Sequence, residues 1–134
     1  YAYSWRRRAW KRTKWATCMR TFESDSSNDL ALAGGNLNPN VTALEAVAQV
    51  AKHYMLTRRD EMIHDMQNGI PYDIIVWGAS TSIQQFEAAG RTRLMQVPDV
   101  VEVVQFTARQ VGDILDYVAV LRTIYGETTV NGQL

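Results

Sequence analysis

The first twenty residues contain Arg6, Arg7, Arg8, Lys11, Arg12, Lys14 and Arg20, and no Asp or Glu. The other 7 of the 14 basic groups, and all 14 acidic groups, come later in the 134-residue chain. A formal net charge of zero therefore divides into +7 on a leading arm and −7 on the remainder of the chain. No proline or glycine interrupts residues 1–22, so the arm is compatible with one helix. Placed on a wheel at about 100° per residue, neither its cations nor Trp5, Trp10 and Trp15 keep to one face. Such a segment offers no apolar stripe to a core or to a membrane surface. The packed part of the fold is expected to come from the residues after it.

Cations interleaved with aromatic rings suit nucleic acid better than a plain basic tail does. Phosphate neutralisation releases counterions, and seven engaged cations correspond to a log–log salt slope of roughly −6. The indoles of Trp5, Trp10 and Trp15 suit stacking on bases, packing on sugars or packing on neighbouring subunits. A solvated tail, a localisation signal and an anionic lipid surface are the competing readings of the same charge. Arg58, Arg59, Arg91 and Arg93 are secondary nucleic-acid candidates, and each also reads as ordinary surface charge. Wrapping of double-stranded DNA fits this distribution better than sequence-specific reading does, because phosphate contacts position a protein without reading bases.

Residues 23–40 read as a linker, rich in Ser, Asn and Gly with Pro39 near its end. Residues 41–134 read as an all-α body, a small antiparallel helical bundle behind the basic helical arm. Thr42 and Glu45 have capping-box spacing, and Leu44, Val47, Ala48, Ala51, Tyr54 and Met55 follow at helical intervals. The first helix is expected over 42–68, with Gly69 as its stop. The second opens at Pro71 and ends at Gly90, and 91–97 connects it to the next. The third runs from Pro98-Asp99 to Gly126, followed by a polar tail over 127–134. Val100, Val101, Val103 and Val104 are β-branched enough for a strand, but the three- and four-residue spacing beyond them favours helix. Trp77, Phe86, Phe106 and Tyr125 are expected in the core or at subunit contacts.

Signals for chemistry are weak. Glu61 and His64 have the Glu-x-x-His spacing of di-iron bundles, but His53 is the only other histidine. No metal and no cofactor are expected. Cys18 is a single thiol and makes no internal disulfide. Gly34-Gly35 lacks the Lys-Ser/Thr of a phosphate loop, and Ser80 and Ser82 lack a nucleophile elbow. No enzyme is expected. The longest uncharged apolar run, 74–86, has 13 residues, short of the ~20 that cross a bilayer.

The arm cations Arg6–Arg8, Lys11, Arg12, Lys14 and Arg20, followed by a helical body from about Thr42, resemble the major capsid proteins of rod-shaped and filamentous archaeal DNA viruses. That resemblance of layout implies a virion coat protein. It implies that double-stranded DNA in A form is enclosed by the arm, and that the chain pairs with itself or a related subunit in a helical shell. The alternative, from a different class, is an accessory assembly protein of a phage tail or ribonucleoprotein particle, its arm threaded into RNA or a partner. The acidic body pairing with a neighbour's basic arm is a further expectation of the coat reading.

Overall fold

A computed structural model describes residues 19–39 and 42–134. Trp5, Arg6, Arg7, Arg8, Trp10, Lys11, Arg12, Lys14, Trp15 and Cys18 lie outside the described residues; Arg20 is described and is exposed. From Phe22 to Pro39 the chain doubles back on itself through antiparallel bridges between Phe22 and Pro39 and between Ser24 and Leu30. At the tip, β1 (Leu32–Ala33) pairs with β2 (Asn36–Leu37) across Gly34-Gly35.

The Thr42 cap forms: its Oγ1 accepts the Glu45 N–H at 3.2 Å and opens α1 (Ala43–Leu56). The helix buries Ala46, Val47, Ala51 and Met55 along one face. It ends at Leu56, not at residue 68. Thr57 turns extended (φ −73°, ψ 120°), and its N–H and hydroxyl both donate to the His53 carbonyl. The Ile70 N–H then donates to the Thr57 carbonyl and the Arg59 N–H to the Ile70 carbonyl. These cross-links hold 57–69 as a closed loop. The second expected helix is also divided. It consists of α2 (Tyr72–Ile75), a single turn, and α3 (Ile83–Met95), which starts where Ser82 Oγ accepts the Gln85 N–H. Arg91 and Arg93 therefore sit on a helix, not in a connection.

The largest correction concerns residues 98–133, where the expected third helix is a sheet. Strands β3 (Val100–Val111), β4 (Ile114–Thr123) and β5 (Gly126–Gln133) pair antiparallel in the order β3-β4-β5. The protein is accordingly mixed α/β and not an all-α helical bundle. Along β4, buried Leu115, Tyr117, Ala119, Leu121 and Thr123 alternate with outward residues, the period of a strand half-covered by a core. On β3 the register shifts between Val100 and Glu102 and again between Val103 and Gln105. Such irregularities shift the phase of the alternation. Val103 and Phe106, three residues apart, both face inward as a result, which mimics a helical step. Gly112 (φ 62°) occupies the first position of the two-residue loop joining β3 to β4, where hairpin turns of the primed types favour glycine.

The sheet's inner face packs on the helices. An aromatic chain crosses this core, Tyr72 to Phe86 at 5.8 Å, Phe86 to Phe106 at 5.8 Å and Phe106 to Tyr117 at 6.0 Å between ring centroids. The outer face mixes exposed apolar residues, Val111, Ile114 and Val118 among them, with charged ones, and Arg122 bridges Glu102 at 3.0 Å and Glu127 at 3.2 Å across the three strands. Ion pairs this exposed contribute about 0–1 kcal/mol each, so they mark a solvated face and do not hold the sheet together.

Two phenols are buried in that core. The Tyr72 hydroxyl donates to the Met55 carbonyl, whereas the Tyr117 hydroxyl has no partner among the described residues. Burial disfavours the charged phenolate, raising Tyr72 above its ordinary value and Tyr117 to about 12. Because the folded state prefers the protonated form, this contribution is intact below the unfolded value near 10 and is lost as pH rises through the folded value. Above pH ~10 stability should fall by about 1.4 kcal/mol per pH unit for each phenol held protonated. Urea midpoints measured at intervals from pH 8 to 11.5 test this, with a flat profile below pH 10 expected for these groups.

Candidate functional site

An open sheet of three strands has two edges, and each edge strand points alternate peptide groups away from its partner. On β3, α3 engages two of those groups. The Ala108 N–H donates to Glu87 Oε1 at 3.2 Å, and Arg91 Nη1 donates to the Val103 carbonyl at 3.5 Å. The two register shifts further bend this edge away from regular pairing. The β3 edge is thus partly engaged and irregular.

The β5 edge is different. Leu115 and Leu134 exchange both backbone hydrogen bonds at 2.9 Å, which fixes the phase of the β4–β5 ladder. By alternation, the peptide groups of Glu127, Thr129, Asn131 and Gln133 then face outward. Among the described residues, none of these four peptide groups makes a hydrogen bond at that edge. Two clefts border it beneath α1. One, of about 240 Å³, is lined by Ser24, Gln49, Lys52, Thr129 and Asn131. The other, of about 440 Å³, is lined by Lys52, Tyr117, Asn131, Gly132 and Gln133. They share Lys52 and Asn131 and leave room alongside the strand. The 22–39 excursion borders the first cleft, held to α1 where Gln49 Oε1 accepts the Ser24 N–H and its Nε2 donates to the Phe22 carbonyl at 2.5 Å.

A second feature lies on α3. Arg93 is only 7% exposed, and its guanidinium carbon sits 4.4 Å from the centroid of the Tyr54 ring. Nη1 donates to Gln96 Oε1 at 2.8 Å, and Nε has no acceptor among the described residues. Among the described residues the only cation in a salt bridge is Arg122. Stacking on Tyr54 offsets part of the desolvation, by about 2 kcal/mol, and the C-terminal turn of α3 favours a cation there.

The four secondary basic candidates are not gathered into one surface. Arg58 and Arg59 are exposed on the loop after α1 and line a cleft of about 120 Å³ with Asp60 and Asp73. Arg91 is exposed against β3, and Arg93 is buried beside Tyr54. Arg20 stands at the start of the described residues. Glu61 is used locally, its Oε2 accepting the Arg58 N–H at 2.9 Å. Among the described residues no group of three or more His, Cys, Asp or Glu is placed to hold a metal ion. Residues 127–133, read from sequence as a polar tail, carry the bare edge. The signal for it was the run Thr128-Thr129-Val130, β-prone residues following Gly126.

The described residues thus form a small mixed α/β module, a three-stranded antiparallel sheet packed on helices. The profile of one family, the contractile injection system sheath initiator, matches residues 20–126, and the chain belongs to that family. A comparison with curated proteins returned no match. The family match overturns the resemblance to archaeal filamentous-virus capsid proteins, and with it the double-stranded DNA and coat-dimer partners. The coarser alternative agrees with it: the chain is an accessory component of a contractile, phage tail-like particle.

Proposed function

We propose that this chain starts sheath assembly by pairing the outward edge of β5 with an extended segment of a sheath subunit, in a structural and not a catalytic role. The peptide groups of Glu127, Thr129, Asn131 and Gln133, unbonded at that edge among the described residues, carry this reading, set against a β3 edge that α3 partly engages. Strand addition supplies affinity through main-chain hydrogen bonds and specificity through side-chain pockets on alternate positions. The clefts flanking Lys52 and Asn131 provide those pockets. A sheath must begin from something that presents a repeatable, oriented template, and a single free edge of fixed direction does so.

A proline pair isolates the edge from the fold. The Thr129 N–H points outward, so Thr129→Pro removes a donor needed only by an incoming strand, at a position where edge strands tolerate proline. Val130 faces the core opposite Ala119, and Val130→Pro removes a ladder bond inside the sheet. Thr129→Pro is expected to keep the wild-type circular dichroism spectrum and to reduce sheathed tails by at least about tenfold in electron micrographs of complemented particles. Val130→Pro is expected to unfold. Sheathed tails at wild-type frequency with Thr129→Pro would remove the β5 edge from the mechanism.

A further inference from the structure

The guanidinium of Arg93 lines a cleft of about 250 Å³ whose other walls include Gln67, Asn68, Thr92 and Gln96. All four side chains are neutral and can donate a hydrogen bond, and none of the residues lining the cleft is acidic. Asp65, the nearest acid along the loop, is turned to Asn68, whose Nδ2 donates to both its oxygens at 2.7 Å. A buried guanidinium ordinarily meets a carboxylate, which takes two parallel N–H bonds from it. Here Nη1 is spent on the Gln96 amide, while Nε, half of the side-on fork that Nε and Nη2 form, is shielded from solvent and has no acceptor among the described residues.

From this we infer that the Arg93 cleft receives a carboxylate side chain from a neighbouring polypeptide of the particle. The chemistry favours a carboxylate over a phosphate. The site has a single cation, and Arg93 stands in the last turn of α3, where the helix's carbonyl end offsets part of its charge. A planar monoanion matches a single arginine fork, whereas a phosphate dianion calls for more positive charge than one such arginine supplies. Thr92 already donates to the Ala88 carbonyl and Asn68 to Asp65, which leaves the Gln67 amide to serve the remaining lone pairs. The cleft shares no residue with those bordering β5, so this contact stands or falls independently of strand addition.

The test uses the full-length protein and a variant that fills the site from within. Gln96→Glu places a carboxylate where the Nη1 acceptor already lies, so it should fold with unchanged or higher thermal midpoint. In wild-type protein labelled with ¹⁵N, sodium acetate should move the Arg93 Nε–Hε resonance saturably, at least about fivefold more than sodium chloride at equal ionic strength. In Gln96→Glu that response should vanish, and particles complemented with it should fall about tenfold in number although the protein is folded. An acetate response equal to that of chloride, a stronger response to sodium phosphate than to acetate, or wild-type assembly by Gln96→Glu each overturns the inference. The last outcome would identify Arg93 as a structural residue serving only Tyr54 and Gln96.

Discussion

Phe86→Ala is expected to destabilise the fold by about 3–5 kcal/mol, the range for removing a large buried aromatic side chain. Phe86 is fully buried on α3 and links the two sides of the aromatic chain, touching Tyr72 on the helical side and Phe106 on the sheet. Its loss removes the contact through which α2, α3 and β3 share one core. The site cannot collapse easily, because its neighbours are held separately: Tyr72 by its hydrogen bond to Met55, Phe106 by the β3–β4 ladder. A cavity term therefore adds to the lost transfer energy. Against a total stability of about 5–15 kcal/mol, such a loss brings the protein close to unfolding. Urea titration followed by circular dichroism measures it, with Ile63→Ala as the control. Ile63 is 86% exposed on the loop, and its truncation should change stability by no more than about 0.5 kcal/mol. A loss below about 1 kcal/mol for Phe86→Ala would contradict the position of this ring at the centre of the core.

Gly69→Ala should cost about 3 kcal/mol or more, from a left-handed backbone and a clash together. Gly69 has φ 139°, and a Cβ there would lie 2.6 Å from the Arg58 carbonyl carbon and oxygen and from the Arg59 nitrogen. All three are backbone atoms, so no rotamer change relieves the contact. The neighbouring bonds between Thr57, Arg59 and Ile70 close the loop at this same point. The expected result is a lowered thermal midpoint together with fast amide exchange at Arg59 and Ile70. Gly35→Ala is a useful contrast, since an added Cβ at Gly35 meets nothing within 4 Å. If Gly69→Ala proved no worse than Gly35→Ala, the close approach of 69 to 58–59 would not exist in solution.

The parts of the fold legible in the chain are those decided within a turn or two. Thr42 caps α1 because its hydroxyl reaches a donor three residues ahead, and Val47, Ala51 and Met55 are buried because their spacing puts them on one face. Phe86 and Phe106 are readable as core residues and are buried. The sheet is hidden in the sequence for an identifiable reason. Two register shifts on β3 bring residues three apart to the same face, so apolar spacing there follows a helical step inside a strand. The valines at 100–104 carry the opposing signal, and Gly112 with Asp113 supplies the turn between them and β4. The candidate site is less legible still. Apart from the β-prone run Thr128-Thr129-Val130, the polar residues Glu127, Asn131 and Gln133 give no local sign that separates an edge strand from a tail.

What the chain determined by itself is the separation of a cationic leading segment from an acidic remainder, and the capped, one-faced helix that begins at Ala43. Both depend on composition and on interactions between near neighbours. Tertiary structure alone decided that residues 100–133 pair as strands, since each ladder bond needs an acceptor or donor from a distant segment. It alone decided that Glu87 and Arg91 bond to one edge while, among the described residues, the other makes no such bond, and that Arg93 is buried against Tyr54, 39 positions earlier. Those outcomes depend on which surfaces meet when the sheet closes on its helices, and no window along the sequence contains both surfaces.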